Sequence, residues 1–273
     1  ALSSAASDVY KRQAFLCLPD AASKEVMPLL RPDVKVLDTS TAFRTDPAWD
    51  YGFPELNGQK EKIQRSYRVA VPGCYASGFI SIARPLVELG LAPADSPFSC
   101  TGISGYSGGG KKMIAEYESP ARPAHSKLDA PKSYGLGLAH KHLPEMQKIS
   151  GLARTPAFVP VVCDYYSGMQ VLVPLDLKLA GTTAEAVAEG IANYYKDDAT
   201  VTVHALNETL PENGLYSNAM AGSDWMELYL TVNAAGDQMM LVSLFDNLGK
   251  GSSGAAIQCM NLMLGLDEVA GLE

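Results

Sequence analysis

The sequence predicts an α/β protein in two parts: a parallel sheet built from βαβ units, then a strand-rich domain whose sheet is mixed or antiparallel. Three observations lead there. Short apolar runs at 14–18, 34–37 and 67–71 alternate with helical periodicity, the pattern of buried parallel strands joined by crossovers. From about residue 98 to 245 the texture changes and strands dominate. A last amphipathic segment, Ser252–Leu264, presents Ala256, Ile257, Met260 and Leu264 on one face before Gly265 stops it.

The first 13 residues (ALSSAASDVYKRQ) lack core periodicity and have no charged n-region followed by an apolar stretch, so they are no secretion signal. They resemble translated adapter sequence. They are expected to be foreign, with the native chain beginning earlier. A strand at 14–18 then starts at full stride, followed by a helix from Asp20 to about Leu30 and a second strand, Val34–Leu37. Asp38-Thr39-Ser40-Thr41 ends that strand with small polar groups, at the place where an open α/β sheet binds its ligand.

The third strand, Tyr67–Val71, runs through Pro72 and Gly73 into Cys74. Beyond it Phe79, Ile82, Ala83 and Leu86 fall at helical spacing up to Gly90. A thiol at such a junction faces unpaired backbone N–H groups, whose partial positive charge favours the thiolate. Pro72 and Gly73 force the turn and leave the sulfur unobstructed. Cys74 is therefore the candidate nucleophile. In the second domain strands are expected at 98–104, 157–163, 169–178, 200–204, 226–232 and 238–245, with helices near 144–151 and 184–195.

Composition narrows the function. Hydrophobic residues make up 47% and charged residues 19%, the balance of a globular enzyme. No run approaches the roughly 18 apolar residues of a membrane span. A net charge of −8 argues against nucleic acid and anionic membrane as partners. Five widely spaced cysteines without a C-x-x-C pair make a poor disulfide framework and a poor zinc site, which points to a reducing cytoplasm.

Two further stretches carry chemistry. Thr101–Lys112 (TGISGYSGGGKK) puts five glycines before paired lysines, suited to receiving an oxyanion or phosphate on N–H groups and cations. It lacks the Gly-Lys-Ser/Thr order of a P-loop. His140-Lys141-His142-Leu143-Pro144-Glu145 offers two candidate acid/base histidines. A metal site is the competing reading. It is disfavoured because no third His or Cys is near in the sequence.

Taken in order, these stretches resemble the N-acetyl-gamma-glutamyl-phosphate reductases, short bacterial form, of the semialdehyde-dehydrogenase superfamily. The resemblance rests on Asp38–Arg44 (DTSTAFR), Tyr51–Leu56 (YGFPEL), Pro72–Gly78 (PGCYASG), Ser104–Lys111 (SGYSGGGK), His140–Glu145 (HKHLPE) and Asn247–Gly254 leading into Gln258–Leu266. Ser77 stands where the family usually has threonine, and Lys141 where it has arginine. The family's first strand and its G-x-x-G-x-x-G loop have no counterpart here.

The resemblance implies a Rossmann-like sheet missing its first βαβ unit over 14–73 and 253–273, and a catalytic and substrate-binding domain over 74–252. It implies NADPH-dependent reduction of N-acetyl-gamma-glutamyl phosphate to the semialdehyde in arginine biosynthesis, by a homo-oligomer, through a thioester on Cys74. His140 is the implied acid/base, preferred to His142 by its place in the motif. Arg44, Ser107, Lys111 and Glu145 would meet the substrate, and Ser40, Gly73 and Asn247 the NADP(H). A sibling reductase acting on aspartyl or N-acetyl-aminoadipyl phosphate, or a non-catalytic fragment, are the alternatives. Without the first βαβ unit, NADPH binding is expected to be weak and solubility poor. The closing helix is expected on the nucleotide-binding sheet, with Ile257 and Met260 near Leu16 and Val36.

Overall fold

Continuous apolar runs along three short strands give the first sheet two buried faces, and each face has its own cover. The computed structural model describes residues 13–273; positions 1–12 of the segment expected to be foreign lie outside the described residues. The chain divides into two compact units, residues up to Pro72 with Ala255–Gly271, and Gly73–Gly254 with Leu272–Glu273. The cuts fall at 72/73 and 254/255, where the sequence placed them at 73/74 and 252/253.

In the first unit, β1 (Gln13–Leu16), β2 (Lys35–Asp38), β3 (Asp50–Tyr51) and β4 (Arg68–Ala70) form a parallel sheet in the order β1-β2-β4-β3. Helices α1 (Asp20–Val26) and α2 (Gln59–Arg65) connect them. Val36 and Leu37 are adjacent, so their side chains point to opposite faces. Val36 joins Leu16 and Val34 in a cluster packed by Val26, Met27, Leu30 and Trp49. Leu37 joins Ile63, Val69 and Val71 against Ala255, Ala256, Cys259, Leu262 and Met263.

That second cluster places the closing helix, Gly254–Leu264, on the sheet, but on the face opposite to Leu16 and Val36. Ile257 and Met260 are half-buried and Leu264 is exposed. The helix is apolar almost all round, so periodicity alone did not fix which stripe is buried.

The second unit is a seven-stranded mixed sheet: β5 (Ser99–Gly105), β6 (Lys132–Ser133), β7 (Ala157–Cys163), β8 (Met169–Asp176), β9 (Val201–Val203), β10 (Met226–Val232) and β11 (Gln238–Phe245), ordered β6-β7-β5-β8-β11-β10-β9. The β5–β7 and β9–β10 pairs are parallel and the others antiparallel. Helices α3 (Cys74–Glu88), α4 (Gly110–Tyr117), α5 (Leu143–Ser150), α6 (Leu177–Ala180) and α7 (Ala184–Tyr195) complete it. Thr183 caps α7 by accepting from Ala186 N, and Tyr195 of α7 donates its hydroxyl proton to Ser81 O of α3 at 2.7 Å. The α2 and α4 helices and the two-residue strands β3 and β6 had no sequence pattern long enough to declare them.

Candidate active site

Cys74 is the first residue of α3, reached through Gly73 in an extended conformation. The residue ahead of a helix must leave the helical region, and Gly73 does so without a side chain beside the sulfur. Cys74 is half-buried. Of the remaining cysteines, Cys100 and Cys259 are buried, and burial pushes the Cys100 and Cys163 thiols up, away from thiolate. Cys17 is exposed and precedes α1 without beginning it. Cys74 alone combines partial access with a helix start.

Tyr75 turns inward from the same helix start and is 4% exposed. Its ring meets His140 edge-on at 5.9 Å and Phe158 at 5.1 Å, and its hydroxyl accepts from Tyr134 at 3.4 Å. Gly102, one of the loop glycines of the sequence, lies inside β5 instead: a Cβ there would sit 2.4 Å from the Tyr75 ring. The Tyr75 position thus requires the glycine.

His140 stands among aromatic rings, with Phe158 at 5.1 Å, Tyr134 at 6.0 Å and His142 at 4.7 Å, in addition to Tyr75. Its Nδ1 accepts the backbone N–H of His142 at 3.2 Å. The neutral ring therefore carries its proton on Nε2. Desolvation, aided by the neighbouring Lys141 charge, lowers the His140 pKa to about 4. At neutral pH the side chain is an uncharged donor. Residues 141–142 form a turn leading into α5, and the two histidine rings meet there instead of lying along a strand. Among the described residues no three His, Cys, Asp or Glu side chains could hold a metal ion.

The remaining predicted residues separate by burial. Glu145, expected on the substrate, is 2% exposed and its Oε2 accepts from Gly73 N at 3.1 Å, directly beneath the turn that presents Cys74. Ser107 is buried; its Oγ accepts from Asn247 Nδ2 at 2.9 Å, while Asn247 Oδ1 accepts from Gly168 N at 2.9 Å. Lys111, in the first turn of α4, is exposed. In the first unit Ser40 donates to Asp38 Oδ1 at 2.5 Å, and buried Arg44 donates to the carbonyls of Val71 and Thr39, both at 2.9 Å. Arg44 thus braces the loop that was expected to deliver it to a ligand.

Sequence reasoning missed Tyr75, Tyr134, Phe158 and Asp246. Asp246, 3% exposed, accepts from Gly222 N, Ser167 Oγ and Leu248 N, so it fixes three segments around the end of β11. Its adjacency to Asn247 at the end of an apolar strand was the available signal. A cavity of about 200 Å³ lined by Phe98, Pro174, Leu179 and Gln238 contains none of these groups.

Each unit, taken by itself, carries polar groups that suit a nicotinamide cofactor. Asn247 keeps one N–H and one oxygen lone pair beyond its two bonds, complementary to a carboxamide. Asp38 Oδ2, at the carboxyl end of β2, is buried without a partner among the described residues.

A parallel-sheet unit and a mixed-sheet unit with a helix-start cysteine define a class, and comparison with known proteins agrees. Residues 8–65 match the semialdehyde dehydrogenase, NAD binding domain, and residues 74–247 the semialdehyde dehydrogenase, dimerisation domain. The chain belongs to the semialdehyde dehydrogenase family. It is 45% identical to the N-acetyl-gamma-glutamyl-phosphate reductase of Burkholderia lata, over 94% of this chain and 82% of the relative. Proteins of the same name from Trichormus variabilis (42%, over 95% and 83%) and Brucella anthropi (46%, over 92% and 82%) are similarly close. In fold it is similar to aspartate semialdehyde dehydrogenase II from Vibrio cholerae, with a TM-score of 0.71 at 18% identity over 93% of this chain and 80% of that one. A probable aspartate-semialdehyde dehydrogenase from Pseudomonas aeruginosa gives 0.70 at 14% identity, over 94% and 80%.

Proposed function

We propose that this chain reduces N-acetyl-gamma-glutamyl phosphate to N-acetyl-glutamate 5-semialdehyde with NADPH, in arginine biosynthesis, through a thioester on Cys74. The observation that carries the reading is the half-buried Cys74 at the start of α3, next in chain to a tyrosine packed on an uncharged His140. Identity of 42–46% to reductases of that name supports the substrate.

Cys74 Sγ, as thiolate, attacks the acyl carbon; the C–S bond forms and the C–O bond to phosphate breaks, releasing inorganic phosphate. Backbone N–H groups at the start of α3 face the developing oxyanion. His140 Nε2–H donates a hydrogen bond to that oxygen; once the carbon has gained hydride, the oxyanion collapses to the aldehyde as the C–S bond breaks and Cys74 leaves as thiolate. Ser107 and Lys111 receive the phosphate. Glu145 acts through Gly73, holding the turn in front of Cys74. NADP(H), when bound, supplies the hydride; Ser40, Gly73 and Asn247 are the residues proposed to hold it.

Pairing of two copies through the mixed-sheet unit is supported by the dimerisation-domain match and by half-buried apolar residues Ile103, Val159 and Val161 on one sheet face. Light scattering on the eluted protein tests it. A cytoplasmic location is supported by five widely spaced cysteines with no C-x-x-C pair.

The decisive assay runs in reverse, following NADPH formation from N-acetyl-glutamate semialdehyde, phosphate and NADP. Aspartate semialdehyde and the N-acetyl-aminoadipate analogue serve as competitors. A larger kcat/KM for either competitor would replace the substrate assignment, and no turnover with any would remove the enzyme reading.

A further inference from the structure

Lys250 takes no part in the chemistry above, yet at 1% exposed it is the most buried basic residue among those described. Sequestering an ammonium group costs several kcal/mol unless it is well partnered, and a methionine would fill similar space. Packing alone does not account for a lysine there.

Its surroundings do. Lys250 lies in a single π-helical turn, Gly249–Ser253, between the Asp246-Asn247 pair and the closing helix. Such turns are rare and frequently sit at functional sites. This one is pinched on two sides. A Cβ at Gly249 would lie 2.1 Å from Ser223 O, and one at Gly251 would lie 3.0 Å from both Asp246 O and Cys74 Cβ. The turn therefore rests directly on the proposed nucleophile. Among the Lys250 partners is Thr200, whose Oγ1 accepts from Nζ at 2.9 Å. Thr200 is wholly buried and its carbonyl accepts from Met226 N at 2.9 Å, which locks it to the first residue of β10.

We propose that Lys250 is a positioning residue: its ammonium, tied to Thr200 at the sheet, holds the π-helical turn against Cys74 and so keeps the sulfur at the start of α3. The inference rests on the reading of Cys74 as nucleophile. A released turn would free other Cys74 rotamers, moving the sulfur away from the N–H groups that favour the thiolate.

The test is alkylation of Cys74 by iodoacetamide across pH, with the modified peptide quantified by mass spectrometry, in the full chain and in Lys250→Met and Thr200→Val. It requires neither cofactor nor turnover. In Lys250→Met the pH midpoint of Cys74 alkylation should rise by about half a unit or more, and the rate near neutral pH should fall about threefold or more. Thr200→Val removes the hydroxyl that accepts from Lys250 and should shift both in the same direction by less, and it decides the matter if Lys250→Met does not fold. Folded variants with an unchanged Cys74 profile would overturn the proposal. Reductase activity persisting in Cys74→Ala would instead remove the nucleophile assignment, a separate failure.

Discussion

Acidifying the protein should uncover the cost of keeping His140 uncharged. In the folded chain its pKa is about 4, against an ordinary value of 6.5. The difference of roughly 2.5 pH units corresponds to a ceiling of about 3.4 kcal/mol at 1.36 kcal/mol per unit. His140 is only half-buried, so solvent screening reduces the expected effect to about 1–2 kcal/mol. Between these two values the unfolded chain binds a proton that the folded chain does not. Stability from this group is therefore complete above 6.5, declines as pH falls towards 4, and changes no further below it. Urea unfolding of the parent and His140→Gln, near pH 7 and near pH 4.5, isolates it from carboxylates that titrate in both. The parent should lose about 1–2 kcal/mol more than the variant on acidification. Equal losses in the two proteins would refute the buried, neutral imidazole.

Cys74→Ala should abolish reductase activity with little change in stability, because a half-buried thiol at a helix start contributes little packing; activity above a few per cent of the parent would exclude the thioester. Glu145→Gln weakens a charge-assisted bond to Gly73 N and should cost about 1.5–3 kcal/mol in urea unfolding, with a fall in kcat exceeding any change in KM. Gly102→Ala drives a methyl group into the Tyr75 ring and should destabilise by about 1–3 kcal/mol, while kcat falls as Tyr75 shifts beside His140. In each case a variant indistinguishable from the parent in both measurements contradicts the stated contact.

The sequence alone determined the class of fold and the candidate nucleophile, because both are written in local pattern. Apolar runs separated by helical periodicity dictate parallel strands with crossovers, and a Pro-Gly turn before an amphipathic run dictates a helix with a cysteine at its start. The histidine pair was legible as chemistry but not as geometry, since its turn has no periodicity to declare it. Which face the closing helix covers was likewise closed to pattern, because that helix is apolar nearly all round. Only the tertiary structure assigned Glu145 to the floor of the Gly73 turn, Arg44 to backbone carbonyls and Lys250 to Thr200. A charged side chain reads in sequence as a group for a ligand. Whether it instead satisfies buried backbone or hydroxyl groups depends on partners 27 to 72 residues away in the chain, which only folding brings within hydrogen-bond distance.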